Sequence, residues 1–175
     1  MRKVILYIAM SLDGYIADSN GGVSWLVGED VDYQGDHGYS EFLKSIDTVI
    51  MGMKTYRQVV EELSPDVWVY QGMKTYVLTH QKKENKEDIE FIEGDICGFV
   101  KSLKEETGKD IWICGGASIV NQLMKENLID EYQISVMPMI LGSGTRLFHD
   151  TPVIHLHLSH TTSENGVITS IYTRR

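Results

Sequence analysis

Three glycine turns in this chain stand beside residues able to hold an anion. The first, Gly52-Met53-Lys54-Thr55, follows the short apolar run Thr48 to Met51 and precedes Tyr56, Val59, Val60 and Leu63, which recur at the spacing of one helix face. Strand, tight turn and helix are expected, and a helix start beside a glycine presents free backbone N–H groups and a partial positive charge. Thr55 and Gln58 have the spacing of a reciprocal capping pair, and Lys54 adds a full charge at the same spot. This is the chemistry of a phosphate site, although an ordinary strand-to-helix connection has the same pattern.

The second turn, Gly115-Gly116-Ala117-Ser118, follows the buried-type strand Ile111 to Cys114 and leads into Ile119, Val120, Leu123 and Met124 at helical period. Two glycines let a ligand approach backbone where a Cβ would stand, and Ser118 is a natural helix cap. The third, Gly142-Ser143-Gly144-Thr145-Arg146, offers a backbone nest with a guanidinium, or a plain loop. Neither G-x-G-x-x-G nor a Walker lysine loop occurs. His155 and His157 share one face of a terminal strand, but His160 has the opposite parity and no Cys or carboxylate completes a ligand set, so a polar outer face is expected and no metal.

The elements that must position these turns follow from the periodicity. Val4 to Met10 reads as a central strand, Asp13-Gly14 as a bend, and Tyr15 to Ala17 as its continuation. A Gly- and Asp-rich loop of about twenty residues then runs to Gly38, a length uncommon unless the loop covers a site. Trp25 is its aromatic anchor, either a lid residue or a plug that packs the loop down. Tyr39, Phe42, Leu43 and Ile46 form the first amphipathic helix, with Asp36 near its start. Ser64-Pro65 stops the second helix. Short strands are expected at Val67–Tyr70, Tyr76–Thr79 and Ile89–Ile92, with a solvated charged run from Lys82 to Asp88 between the last two. Asp95 caps a third helix. Tyr132 to Val136 alternates as a half-buried strand, and Asn165-Gly166 turns a closing hairpin.

The 175 residues suffice for one domain with its own core, and residues 1–175 are read as one. A net charge of −9 argues against a nucleic-acid surface while leaving room for a local basic pocket, so a small molecule is the expected partner. Only Cys97 and Cys114 are present, which suits a reducing cytoplasm better than a disulfide framework. No apolar run approaches the roughly 20 residues of a membrane span, and no membrane association is expected.

Taken together, these segments resemble the dihydrofolate reductase superfamily, and most closely its branch containing the C-terminal reductase domain of bacterial riboflavin biosynthesis proteins. Ala9 to Ala17 is similar to that branch's first strand, Asp47 to Tyr56 to its D-x-V-x-M-G-R-x-T-Y segment, Ile113 to Ala117 to its double-glycine turn, and Pro138 to Phe148 to its P-x-x-L-G-x-G-x-x-L-F loop. The resemblance implies an α/β fold: a mixed, mostly parallel eight-stranded sheet flanked by helices on both faces, ending in an antiparallel hairpin. It also implies an NADPH-dependent reductase of a small heterocycle, pterin-like or ribosylaminopyrimidine-like, and a homodimer. A nucleotide- or flavin-binding module of the same fold is the alternative.

By that similarity Gly52, Lys54 and Thr55 would hold the pyrophosphate, Leu78 and Thr79 the adenosine side, and Gly115, Gly116, Ser118 and Ile119 the length of the cofactor. Ala9 and Ile16 would lie by the nicotinamide, with Trp25 on the covering loop. Asp36 would be the catalytic carboxylate on the first helix, and Asp13, Gly142, Gly144 and Arg146 would meet substrate. Met53 stands where the family carries an arginine that recognises the cofactor's 2′-phosphate, with His80, Gln81 and Lys82 as candidate substitutes. No H-x-E with P-C-x-x-C occurs, so the zinc deaminase partner of that pathway is missing from the chain.

Overall fold

The computed structural model describes residues 1–175. The elements in order are β1 (Val4–Ser11), β2 (Tyr15–Ala17), α1 (Tyr39–Lys44), β3 (Ile46–Gly52), α2 (Met53–Gln58), β4 (Lys74–Leu78), β5 (Ile89–Ile92), α3 (Ile96–Glu105), β6 (Asp110–Gly115), α4 (Ala117–Lys125), β7 (Glu131–Met137), β8 (Thr145–Arg146), β9 (Leu156–Glu164) and β10 (Val167–Arg174). Helix α2 runs on without a break into a π-helical turn over Val59–Leu63.

Eight strands form the main sheet in the order β5-β4-β3-β6-β1-β7-β10-β9. The pairings from β5 to β7 are parallel, and β10 and β9 join antiparallel at the end. This is the mixed, mostly parallel eight-stranded architecture expected from the resemblance.

The near-continuous apolar runs are explained by burial on both faces. Leu6, Ile50 and Ile113 lie in one core with the apolar sides of α3 and α4, including Val100, Leu103, Val120 and Leu123. Their chain neighbours Ile5, Val49 and Trp112 point the other way, into a second core with Phe42 of α1 and Tyr56 of α2. Each such side chain contributes roughly 1.5–3 kcal/mol on leaving water. Strands β3, β6 and β1 therefore sit centrally, and the ends of β3 and β6 carry the two glycine turns. The closing hairpin turns at Asn165 and Gly166, both at positive φ (51° and 74°), as a two-residue primed turn requires.

Two local expectations fail for identifiable reasons. Val67–Tyr70 is not a strand; the chain turns there while Trp68 and Tyr70 pack edge-on at 5.1 Å, Tyr70 meeting Trp112 at 5.2 Å. Their apolar run is explained by aromatic anchoring and not by sheet pairing. The Thr55–Gln58 capping pair does not form either: the helix begins three residues earlier, with Gly52 at the N-cap and no side-chain cap bond. Thr55 is thereby inside the first turn, and the Gln58 amide donates instead to the Gly21 carbonyl at 2.9 Å. Ser118 is likewise inside α4, whose N-cap is Gly116. No helix is long and apolar enough to cross a membrane.

Candidate active site

The C-terminal ends of β1, β3, β4 and β6 open into one cavity of about 730 Å³, within the range of roughly 300–1,000 Å³ usual for small-molecule sites. The position is the one physics favours in open α/β sheets, where helix starts and strand ends converge. Gly52 and Gly116 come together across the β3–β6 pair: a Cβ placed on Gly52 would stand 3.8 Å from the Gly116 nitrogen and 3.6 Å from Ile119 Cδ1. One placed on Gly116 would stand 3.5 Å from Thr55 Oγ1. The starts of α2 and α4 therefore face a common space. The Gly115–Gly116 peptide is cis.

Ala9, Ile16, Gly52, Lys54, Thr55, Leu78, Thr79, Gly115, Gly116, Ser118 and Ile119, the residues assigned to a cofactor by resemblance, all line this cavity. His80 and Gln81 line it too, whereas Lys82 does not. The wall holds Lys54 and Arg57 but no Asp or Glu, although acidic residues outnumber basic ones 25 to 16 in the chain. The charged side chains of this wall are thus all basic, in a protein that is acidic as a whole.

The other assignments resolve differently. Asp36 lies on the exposed surface outside the cavity wall, where its carboxylate accepts from the Gly38 and Ser40 backbone N–H groups at 3.0 and 2.8 Å. Hydrogen bonding, foremost from Ser40, holds its pKa below the ordinary range, the wrong direction for a general acid near neutral pH. It organises the start of α1. Asp36→Asn, which keeps a capping oxygen, is expected to leave turnover within about twofold, and Asp36→Ala to lower the melting temperature by no more than about 3 °C without touching ligand affinity. Paired calorimetric melts and binding titrations check both.

Trp25 is the plug and not the lid. It is 7% exposed, packs with Met137 and Val167, and its indole N–H donates to the Gly22 carbonyl at 3.1 Å. Gly21, Val23 and Leu26 are the loop residues that reach the cavity.

Asp13, Gly142, Gly144 and Arg146 also stand outside the cavity wall. Asp13 accepts from Ser11 Oγ at 2.6 Å and from the Leu141 and Gly142 N–H groups at 3.1 and 2.7 Å, contacts that hold its pKa near 2, the Ser11 bond foremost. It ties the bend after β1 to the third glycine turn. Arg146 lies over the Tyr15 ring, 4.6 Å from its centroid. From this turn Thr145 alone lines the cavity.

Sequence reasoning missed Arg57, Gln58, Tyr70, Cys114 and Thr145. Arg57 was legible in principle, because it follows Lys54 by three residues on the same helix. Tyr70 and Cys114 were not, because only the folded sheet brings the Tyr70 hydroxyl within 3.7 Å of the Cys114 sulfur. Burial pushes the Cys114 thiol up to about 11 and the Tyr70 hydroxyl far above its usual value. Both stay protonated at neutral pH, and one of the two donates to the other. No cluster of three or more His, Cys, Asp or Glu side chains is assembled, and His157 and His160 lie on the exposed strand β9.

Known proteins share this arrangement to different depths. The chain is 45% identical to the uncharacterized protein YwjB of Bacillus subtilis over 150 residues, covering 85% of this chain and 84% of that protein. It is 34% identical to uncharacterized YyaP of the same organism, covering 98% and 94%. A crystal structure from Shewanella sp. PV-4, of a protein provisionally assigned to riboflavin biosynthesis, superposes with a TM-score of 0.87 at 28% identity over 99% of both chains.

A deaminase/5-amino-6-(5-phosphoribosylamino)uracil reductase from Thermotoga maritima shares the fold, with a TM-score of 0.73 at 16% identity. The match covers 99% of this chain and 57% of that one. With the RibD C-terminal domain model matching residues 2–169, the chain belongs to the RibD C-terminal domain family.

Proposed function

We propose that the protein is a reductase that uses NADPH to reduce a small heterocycle, pterin-like or ribosylaminopyrimidine-like. The observation that carries this reading is the meeting of two glycine-flanked helix starts over one carboxylate-free cavity. The reductase for which the T. maritima protein is named, and a Caenorhabditis elegans relative, 28% identical and provisionally named a dihydrofolate reductase, support the same class.

The residues fit the cofactor. Backbone N–H groups from Met53 to Thr55 and from Ala117 to Ser118 would hold the pyrophosphate with Lys54, since side-chain-free positions at Gly52 and Gly116 allow close approach. Leu78 and Thr79 would meet the adenosine, and Ala9 and Ile16 the nicotinamide. When bound, NADPH supplies the hydride. Val23, Leu26 and Ile16 exclude water from that end of the cavity, which strengthens every polar contact inside. Tyr70, Cys114 and Thr145 offer neutral donors to carbonyl groups of the acceptor. With no carboxylate in the wall, the proton that completes reduction comes from water.

That absence also supports a second reading, a binding module without turnover. Mixing the protein with NADPH and a panel of pterins and ribosylaminopyrimidines, while following the reduced-nicotinamide absorbance, separates the two. Substrate-dependent loss of absorbance is expected. Tight NADPH binding with no oxidation across the panel would leave the module.

A further inference from the structure

The cavity wall divides by charge. Lys54 and Arg57, the acidic or basic side chains it holds, both belong to α2, and together they match the two negative charges of one pyrophosphate. His80 follows β4, which the sheet order sets two strands from β6 and three from β1. Around the ends of β1 and β6 the wall carries no charged side chain: Ile8, Ile16, Val23 and Leu26 are apolar there, and Tyr70, Cys114 and Thr145 are neutral. The charged residues nearest these in the chain are engaged elsewhere. The Asp18 carboxylate accepts from the Asn20 and Gly22 N–H groups, both at 2.8 Å, Asp13 is held by Ser11 and by the third glycine turn, and Arg146 lies over the Tyr15 ring. Donors are few as well. The Tyr70 hydroxyl and the Cys114 thiol carry one hydrogen each, and the bond between them takes one of the two.

We infer that the compound bound beside the dinucleotide is an uncharged heterocycle, carrying neither phosphate nor carboxylate. This rests on the reductase reading above and narrows its substrate class. A phosphate or carboxylate brought to that end of the cavity would leave water and meet no cation, and an unpaired charge taken out of water is far costlier than an unpaired neutral group. The T. maritima protein is named for a phosphoribosylamino substrate. In this chain the walls supplied by β1, β2, the loop and β8 hold no counter-charge for such a group. Leu26 and Leu63, both exposed and both in the wall, suit an apolar substituent at the mouth in its place.

Isothermal titration of two matched pairs into the protein saturated with NADP+ tests the inference: 5-amino-6-ribosylaminouracil with its 5′-phosphate, and 6-methyl-7,8-dihydropterin with 7,8-dihydrofolate. The uncharged member of at least one pair is expected to bind, and to bind at least about tenfold more tightly than its charged partner. Leu26→Lys places a cation in the wall at an exposed position. With a thermal melt to confirm folding, it should tighten the 5′-phosphate by at least about fivefold while the unphosphorylated riboside moves less than about twofold. A charged member that binds within about tenfold of its partner, or better, overturns the inference, as does binding by none of the four or an unchanged preference in Leu26→Lys. Turnover is read separately, from NADPH absorbance with the same four compounds. Selective binding of an uncharged member without oxidation keeps the ligand class and removes the reductase reading, whereas oxidation with a charged member alone removes the class and keeps the reductase. A protein that binds no dinucleotide removes both.

Discussion

Gly144→Ala is expected to lower the melting temperature by about 10 °C. Gly144 sits at φ +138°, and a Cβ there would stand 2.0 Å from the Ala17 carbonyl oxygen and 3.0 Å from the Asp18 carbonyl carbon. Both are backbone atoms of the segment that β8 pairs with, Ala17 opposite Thr145 and Tyr15 opposite Arg146. The clash is relieved only by pulling the two short strands apart. Backbone strain of about 1–3 kcal/mol adds to that separation, and each kcal/mol shifts the melting point of a chain this long by about 2–4 °C. Ala17 and Thr145 both line the cavity, so dinucleotide affinity should fall as well.

Gly142 supplies the control. It too has positive φ, +75°, but nothing lies within 4 Å of its Cβ position, so Gly142→Ala carries the strain without the clash and should lose about a third as much. Differential scanning calorimetry of the pair measures the difference. Equal losses would mean that the close approach at Ala17 does not hold the two strands together.

Gly52→Val is expected to abolish dinucleotide binding with little change in stability. Gly52 has φ −83° and ψ 161°, an extended conformation that suits a β-branched residue. Its Cβ makes ordinary contacts, at 3.6 Å with Ile119 Cδ1 and 3.8 Å with the Gly116 nitrogen. The added methyl groups then stand between the two helix starts, in the space assigned to the pyrophosphate. Losing the close approach at both turns should weaken NADPH by at least about a hundredfold, about 2.7 kcal/mol, with the melting temperature within about 3 °C of wild type. Fluorescence titration of bound NADPH alongside thermal melts reads both quantities. A variant that binds NADPH normally would mean that this turn holds no part of the ligand.

The parts of the fold visible in the sequence are those governed by local pattern. Strands β1, β3, β5, β6 and β7 announce themselves as β-branched or apolar runs. The Asn165-Gly166 turn is specified by residues that tolerate positive φ, and Asp95 caps α3 by accepting from the Cys97 N–H at 2.9 Å. Both glycine turns that line the cavity were legible for the same reason, since a strand, a break and a helix period leave a helix start in one place. Strand order is not local; the resemblance implied a mixed, mostly parallel eight-stranded sheet, and the order itself comes from the structure.

Side-chain roles set by non-local contact were the least legible. Asp36 and Asp13 have the residue type of acids, but backbone N–H groups of turns, joined at Asp13 by the Ser11 hydroxyl, take up their oxygens, and no short pattern specifies the shape of those turns. Trp25 carries the same lesson, because lid and plug share one sequence and differ only in whether Met137 and Val167 lie beneath. Val67–Tyr70 shows the opposite error, aromatic residues packing a turn onto Trp112 and imitating a strand.

The central claim is that the starts of α2 and α4 hold one dinucleotide between them. A crystal structure of the protein saturated with NADPH tests it most directly. The pyrophosphate oxygens should lie within hydrogen-bond reach of backbone N–H groups at both Met53–Thr55 and Ala117–Ser118. Density for the dinucleotide at one turn alone, at another surface, or nowhere at saturating concentration would contradict it.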